Sequence, residues 1–62
     1  MNQYIFHCLY TDDVKLHLIH AMNIEMAEYN FRTFFKDSGV LRYDIYELPE
    51  KPVVFRRDFV EI

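Results

Sequence analysis

The chain carries a single cysteine, a single glycine, two prolines and no tryptophan in 62 residues. One cysteine excludes an internal disulfide framework and any multi-cysteine zinc site. One glycine leaves no room for the glycine-rich loops whose backbone N–H groups cradle phosphate. No apolar run approaches the roughly 18 residues of a membrane span, and the N-terminus lacks a basic signal-peptide region. A cytoplasmic protein without a membrane segment is the expectation. Charge of one sign is also scarce: seven basic against ten acidic residues give −3. That balance argues against a dedicated nucleic-acid binder and is too mild for a DNA mimic. There is no repeat, no low-complexity stretch and no Ser/Gly linker. What is present is apolar: 52% hydrophobic and 18% aromatic residues, well outside the disordered range. Such a chain forms one domain, 1–62. It buries only about 60% of the surface that it exposes unfolded, so it gains from association.

Residues 1–31 hold Asp12, Asp13, Glu25 and Glu28 against Lys15, whereas acids and bases balance in 32–62. The one break in composition is Pro49-Glu50-Lys51-Pro52. It reads as a connection to a C-terminal extended segment, because two prolines remove backbone donors and favour turns. A single helix over 12–37 would be apolar nearly all round. Splitting the segment at Asn23 does better. Ile24, Ala27, Phe31, Phe34 and Phe35 then fall within about 100° on a helix, the width of a core-facing stripe. Asn23 serves as N-cap and Asp37-Ser38-Gly39 as stop, so the helix spans about 24–37. Glu28 and Arg32 fall outside its stripe.

Before the helix, Val14 to Leu18 alternates as a half-buried strand, and Tyr4 to Tyr10 is rich in β-favouring residues. A three-residue loop, Thr11-Asp12-Asp13, would pair Tyr10 with Val14, Cys8 with Leu16 and His7 with His17. Tyr4, Phe6, Cys8, Tyr10, Val14, Leu16 and Leu18 then share the core face. Ile5, His7, Leu9, Lys15, His17 and Ile19 share the other. Leu41, Tyr43 and Ile45 alternate in a third strand, and Val53 to Phe55 starts a fourth extended piece. The expected fold is α+β, β-β-α-β(-β), an antiparallel sheet of order 2-1-3 with the helix on one face.

Few residues suggest chemistry. His7 opposite His17 brings two imidazoles within reach of one ion, but the face offers no third ligand, so no metal or cofactor is expected. Cys8 has no neighbouring base or cation and reads as a buried, inert thiol. Asp12 and Asp13 are adjacent carboxylates at a loop tip, not a pair held across a cleft. The chain therefore reads as non-enzymatic. Arg42, Lys51, Arg56 and Arg57, interleaved with Phe55 and Phe59, are the one basic cluster, and they carry the alternative of a small nucleic-acid-binding or transcription-regulating module. Surplus apolar surface carries the main reading. A sheet covered on one side leaves Ile5, Leu9, Ile19, Tyr46 and Leu48 on the other, beside unpaired strand edges. That patch suits docking on another protein, unless residues 53–62 fold over it. A homodimer fits the same surplus.

In size and in the order of elements over residues 4–48, the chain resembles small bacteriophage proteins that inhibit host enzymes such as RNA polymerase. The resemblance implies a phage or mobile-element protein that binds and modulates a host protein. It lies in the order of elements, so no functional residue is carried over from it.

Overall fold

The computed structural model describes residues 2–49 and 51–59. Strands β1 (Asn2–Leu9) and β2 (Val14–Ala21) precede helix α1 (Ile24–Phe34), which is followed by β3 (Arg42–Glu47) and β4 (Lys51–Asp58). The four strands form one open antiparallel sheet in the order β2-β1-β3-β4, an α+β architecture. The expected order 2-1-3 stands, extended by β4 along the free edge of β3. Residues 53–59 therefore do not cross the sheet. They run along the edge or turn towards the core, while residues 60–62 lie outside the described residues.

The first hairpin corrects the expected register. Leu9 pairs with Val14, Cys8 with Lys15, His7 with Leu16, Phe6 with His17 and Tyr4 with Ile19. The loop is thus four residues, Tyr10 to Asp13, and Tyr10 N–H donates to the Asp13 carbonyl at 2.7 Å. Asp13 also turns its own carboxylate onto the Val14 N–H at 2.8 Å, which supports the longer loop. A slip of one residue sends every side chain of a strand to the opposite face. Lys15, His17, Ile19 and Ala21 accordingly share the inner face with Tyr4, Phe6 and Cys8. Val14, Leu16, Leu18 and His20 share the outer face with Gln3, Ile5, His7 and Leu9.

The core lies on the inner face and consists of Tyr4, Phe6, Cys8, Ala21, Ala27, Phe31, Val40, Tyr43 and Ile45. Phe31 is its hub. Its ring stacks on Phe6 at 4.4 Å and on Phe35 at 4.8 Å, and meets Tyr43 at 4.9 Å and Phe59 at 5.8 Å. The helix begins as its sequence dictates: the Asn23 carboxamide oxygen accepts from Met26 N–H at 2.8 Å in extended geometry. It ends at Phe34, three residues before the expected stop. The Phe35 N–H still bonds to the Phe31 carbonyl, but the chain then turns through Asp37 (φ 63°) and Gly39 (φ 95°). Phe34 is a second correction. It belongs to the expected core stripe yet is 86% exposed, because the helix is closest to β2 and, among the described residues, no strand lies beyond β2 to cover that flank.

Candidate functional site: the outer sheet face and the β2 edge

The outer face is assembled row by row. Leu18, Ile5, Tyr46 and Pro52 lie side by side across the four strands, and Leu16, His7 and Asp44 form the next row. Val14, Leu9, Arg42 and Asp58 form a third. Ile5, His7, Leu16, Tyr46, Leu48 and Pro52 line a shallow groove of about 370 Å³. Four of the five residues expected in a docking patch, Ile5, Leu9, Tyr46 and Leu48, are therefore on this side. Ile19 is not: the register places it on the inner face, packed against the core. Val14, Leu16 and Leu18 take its place on the patch, with Leu16 64% and Leu18 56% exposed. No sequence signal favoured that outcome, since hydrophobic sorting prefers the row Val14-Leu16-Leu18 inside over Lys15-His17-Ile19.

A second groove, of about 420 Å³, runs along the free edge of β2. His17, Leu18 and Ile19 form its floor, and Tyr29, Thr33 and Phe34 of the helix flank form its wall. Tyr29 is 66% exposed. The edge strand and the helix flank thus present apolar surface in the same direction.

The other residues with candidate chemistry are separated. His7 faces outward opposite Leu16 and His17 inward opposite Phe6, so the expected imidazole pair does not form. The His17 ring instead lies 4.4 Å from the Phe35 ring, with its Nε2 3.3 Å from the Tyr10 hydroxyl. Burial and the neighbouring Lys15 charge hold His17 below the ordinary histidine pKa. His20 shares the outer face with His7 but stands four positions along, beside Gln3. Among the described residues no three His, Cys, Asp or Glu side chains converge on a metal position. The Cys8 thiol is buried beneath the sheet, donates to the Phe6 carbonyl at 3.5 Å and is pushed up to about 11 by desolvation.

The basic cluster is dispersed. Arg57 turns to the helix and donates to both Glu28 carboxylate oxygens at 2.7 Å. Glu28 also accepts from the Tyr43 hydroxyl, and burial together with this carboxylate raises the Tyr43 pKa strongly. Arg32 lies over the rings of Tyr43 and Phe59 and donates to the Asp58 carbonyl at 3.0 Å. Glu28 and Arg32, outside the expected core stripe, are thus the polar clamp between α1, β3 and β4. Lys51 pairs across the ladder with Glu47 at the far end of β4. Arg42 and Arg56 do come together, in a groove that they share with His7, Leu9 and Asp44. Phe55 is exposed, whereas Phe59 packs against Phe31 and Tyr43.

No protein-family model matches this chain, and neither a curated protein nor a solved structure matches it. Among the described residues no helix is long and apolar enough to cross a membrane.

Proposed function

We propose that the chain is a non-enzymatic protein-interaction module, a phage or mobile-element protein that binds and modulates a cytoplasmic host protein through its outer sheet face. One observation carries this reading: the more apolar row of β2, Val14-Leu16-Leu18, lies on the face away from the core, while Lys15 and His17 lie on the core side. A sequence departs from hydrophobic sorting where function outweighs stability. With Ile5, Leu9, Tyr46 and Leu48 the row makes an apolar surface around His7, rimmed by Gln3, His20, Arg42 and Asp44. Apolar centre and polar rim are the anatomy of a protein interface, and tyrosine is favoured as its anchor. The helix, seated on the inner face, acts in this reading as a fixed cover that leaves the outer face to the partner. The partner is a protein with a matching apolar ridge.

Affinity capture from the native host in high salt tests the reading, comparing wild type with Ile5→Thr/Tyr46→Thr and with Arg56→Ala/Arg57→Ala. The expected result is one host protein retained in high salt, lost with the first variant and kept with the second. Nucleic acid recovered at low salt, released as salt rises and lost with the arginine variant would establish the alternative module instead.

A further inference from the structure

Among the described residues the sheet has two free edges, and the one at β2 has the groove described above along it. The hydrogen-bond alternation shows which backbone groups it offers. Leu41 N–H donates to the Leu9 carbonyl and Leu48 N–H to the Gln3 carbonyl, so odd residues of β1 face β3 and even residues face β2. Tyr10 N–H on the Asp13 carbonyl continues the same phase into the hairpin. On β2 the odd residues therefore bond to β1. Val14, Leu16, Leu18 and His20 direct N–H and C=O outward along the edge.

We propose that a second copy of this chain docks here, β2 antiparallel to β2 about a two-fold axis, continuing the sheet to eight strands. With His17 on the axis, Leu16 lies opposite Leu18 of the second copy and Val14 opposite its His20. All four outward residues then exchange hydrogen bonds, about eight in total. Each pair keeps outer-face residues on the outer face, as the alternation of a continuous sheet requires.

Three features favour a second copy over an extended peptide. The first is the helix flank. Strands are spaced about 4.8 Å apart, so helices whose Phe31 stacks on Phe6 of β1 stand up to about 14 Å apart in the two copies, wider than the 8–10 Å of directly packed helices. The flank of one copy meets the flank of the other through Tyr29 and Phe34, which fill the gap, whereas a bare strand would leave both rings in water. Area is the second. Tyr29 and Phe34 expose on the order of 300 Å². The edge backbone with the exposed Val14, Leu16 and Leu18 adds a comparable amount, so the area each copy has available on this side exceeds the roughly 500 Å² that a specific interface needs. Charge is the third. Lys15 is the one fixed charge of β2, and it falls opposite Ile19 of the second copy. The two Lys15 side chains are then about 13 Å apart along the strands, beyond the screening length at physiological salt.

Sedimentation equilibrium of the full chain over a concentration series tests the pairing, together with amide hydrogen exchange at each concentration. Wild type should approach twice its 7.6 kDa mass. The Leu16 and Leu18 amides should slow by tenfold or more as the dimer fills. Phe34→Lys, on a side chain outside the core, should raise the dimer Kd by at least tenfold while leaving the circular dichroism spectrum and, at concentrations where both chains are monomeric, the melting transition in place. A chain that stays at monomer mass throughout the series would overturn the proposal. So would a dimer in which Leu16 and Leu18 exchange as fast as in the monomer, or one indifferent to Phe34→Lys. The test is independent of the host-protein reading, which turns on Ile5 and Tyr46 at the middle of the outer face.

Discussion

The two edges of the sheet are built on opposite plans. On β4 the exposed side carries Lys51, Pro52, Arg56 and Asp58, and two shifts of register interrupt its ladder with β3. Arg56 sits at φ 48°, with its N–H turned onto the Asp44 carboxylate. Charge, proline and bulges are the devices by which an edge is kept from pairing with another strand. The β2 edge has no proline and no bulge: eight residues in unbroken register, Lys15 as its one fixed charge, and flanking leucines. The helix flanks repeat the contrast. Towards β4, Glu28 and Arg32 are locked to Arg57, Tyr43 and Asp58; towards β2, Tyr29 and Phe34 are bare. One side of the molecule is closed by polar contacts and the other is left apolar. Edge protection concentrated on β4, with Lys15 alone on β2, supports the reading of the β2 edge as an interface.

The largest perturbation removes what both sides share. Phe31→Ala deletes the ring at the centre of the aromatic cluster and should cost about 3–5 kcal/mol in denaturant unfolding. In so small a domain that is most of the stability, and the two edges should then lose exchange protection together. A change within 1 kcal/mol would mean that the core is centred elsewhere. The contrast itself is sharpened by a matched pair. Glu28→Ala leaves the Tyr43 hydroxyl and Arg57 without their acceptor and should cost about 1–3 kcal/mol. Phe34→Ala on the opposite flank, measured where the chain is monomeric, should stay within about 0.5 kcal/mol. Equal costs for the two would erase the distinction between a clamped and an open flank.

The order of elements and the helix start were legible because each rests on local chemistry. Asn23 caps the helix, and alternation marks Leu41 to Ile45 as a strand. The sheet order followed from connection rules. The hairpin register was not legible, because Thr11-Asp12-Asp13 contains no glycine to fix a turn type and Asp13 can serve a four-residue loop equally well. Hydrophobic sorting then chose the wrong face for Val14, Leu16 and Leu18. The same slip moved Ile19 inward and parted His7 from His17, so one turn residue accounts for the main errors at the site. Phe34 was misplaced for another reason: a helical wheel measures the angle of a residue but does not know where the sheet beneath it ends. The extent of β4 was legible only in part, from Val53 to Phe55, because bulges break the period of two that marks a strand.

The smallest effect comes from the inner row of β2, where His17 has taken a place that leucine was expected to fill. Burial, and secondly Lys15, lower its pKa in the folded chain, while unfolding restores the ordinary value of 6.5. The unfolded state therefore binds more protons as pH falls through that value, and stability declines with it. The full contribution is present above 6.5, is lost as the pH drops towards the lower folded value, and levels off below it. Strand β4 carries no histidine, so this dependence belongs to the β2 side alone. Unfolding by urea on either side of the histidine range should give a lower midpoint at the acid end for wild type and a shallower dependence for His17→Gln. An unchanged slope in the variant would show that His17 does not carry the effect, and the inward orientation of His17 would have to be given up with it.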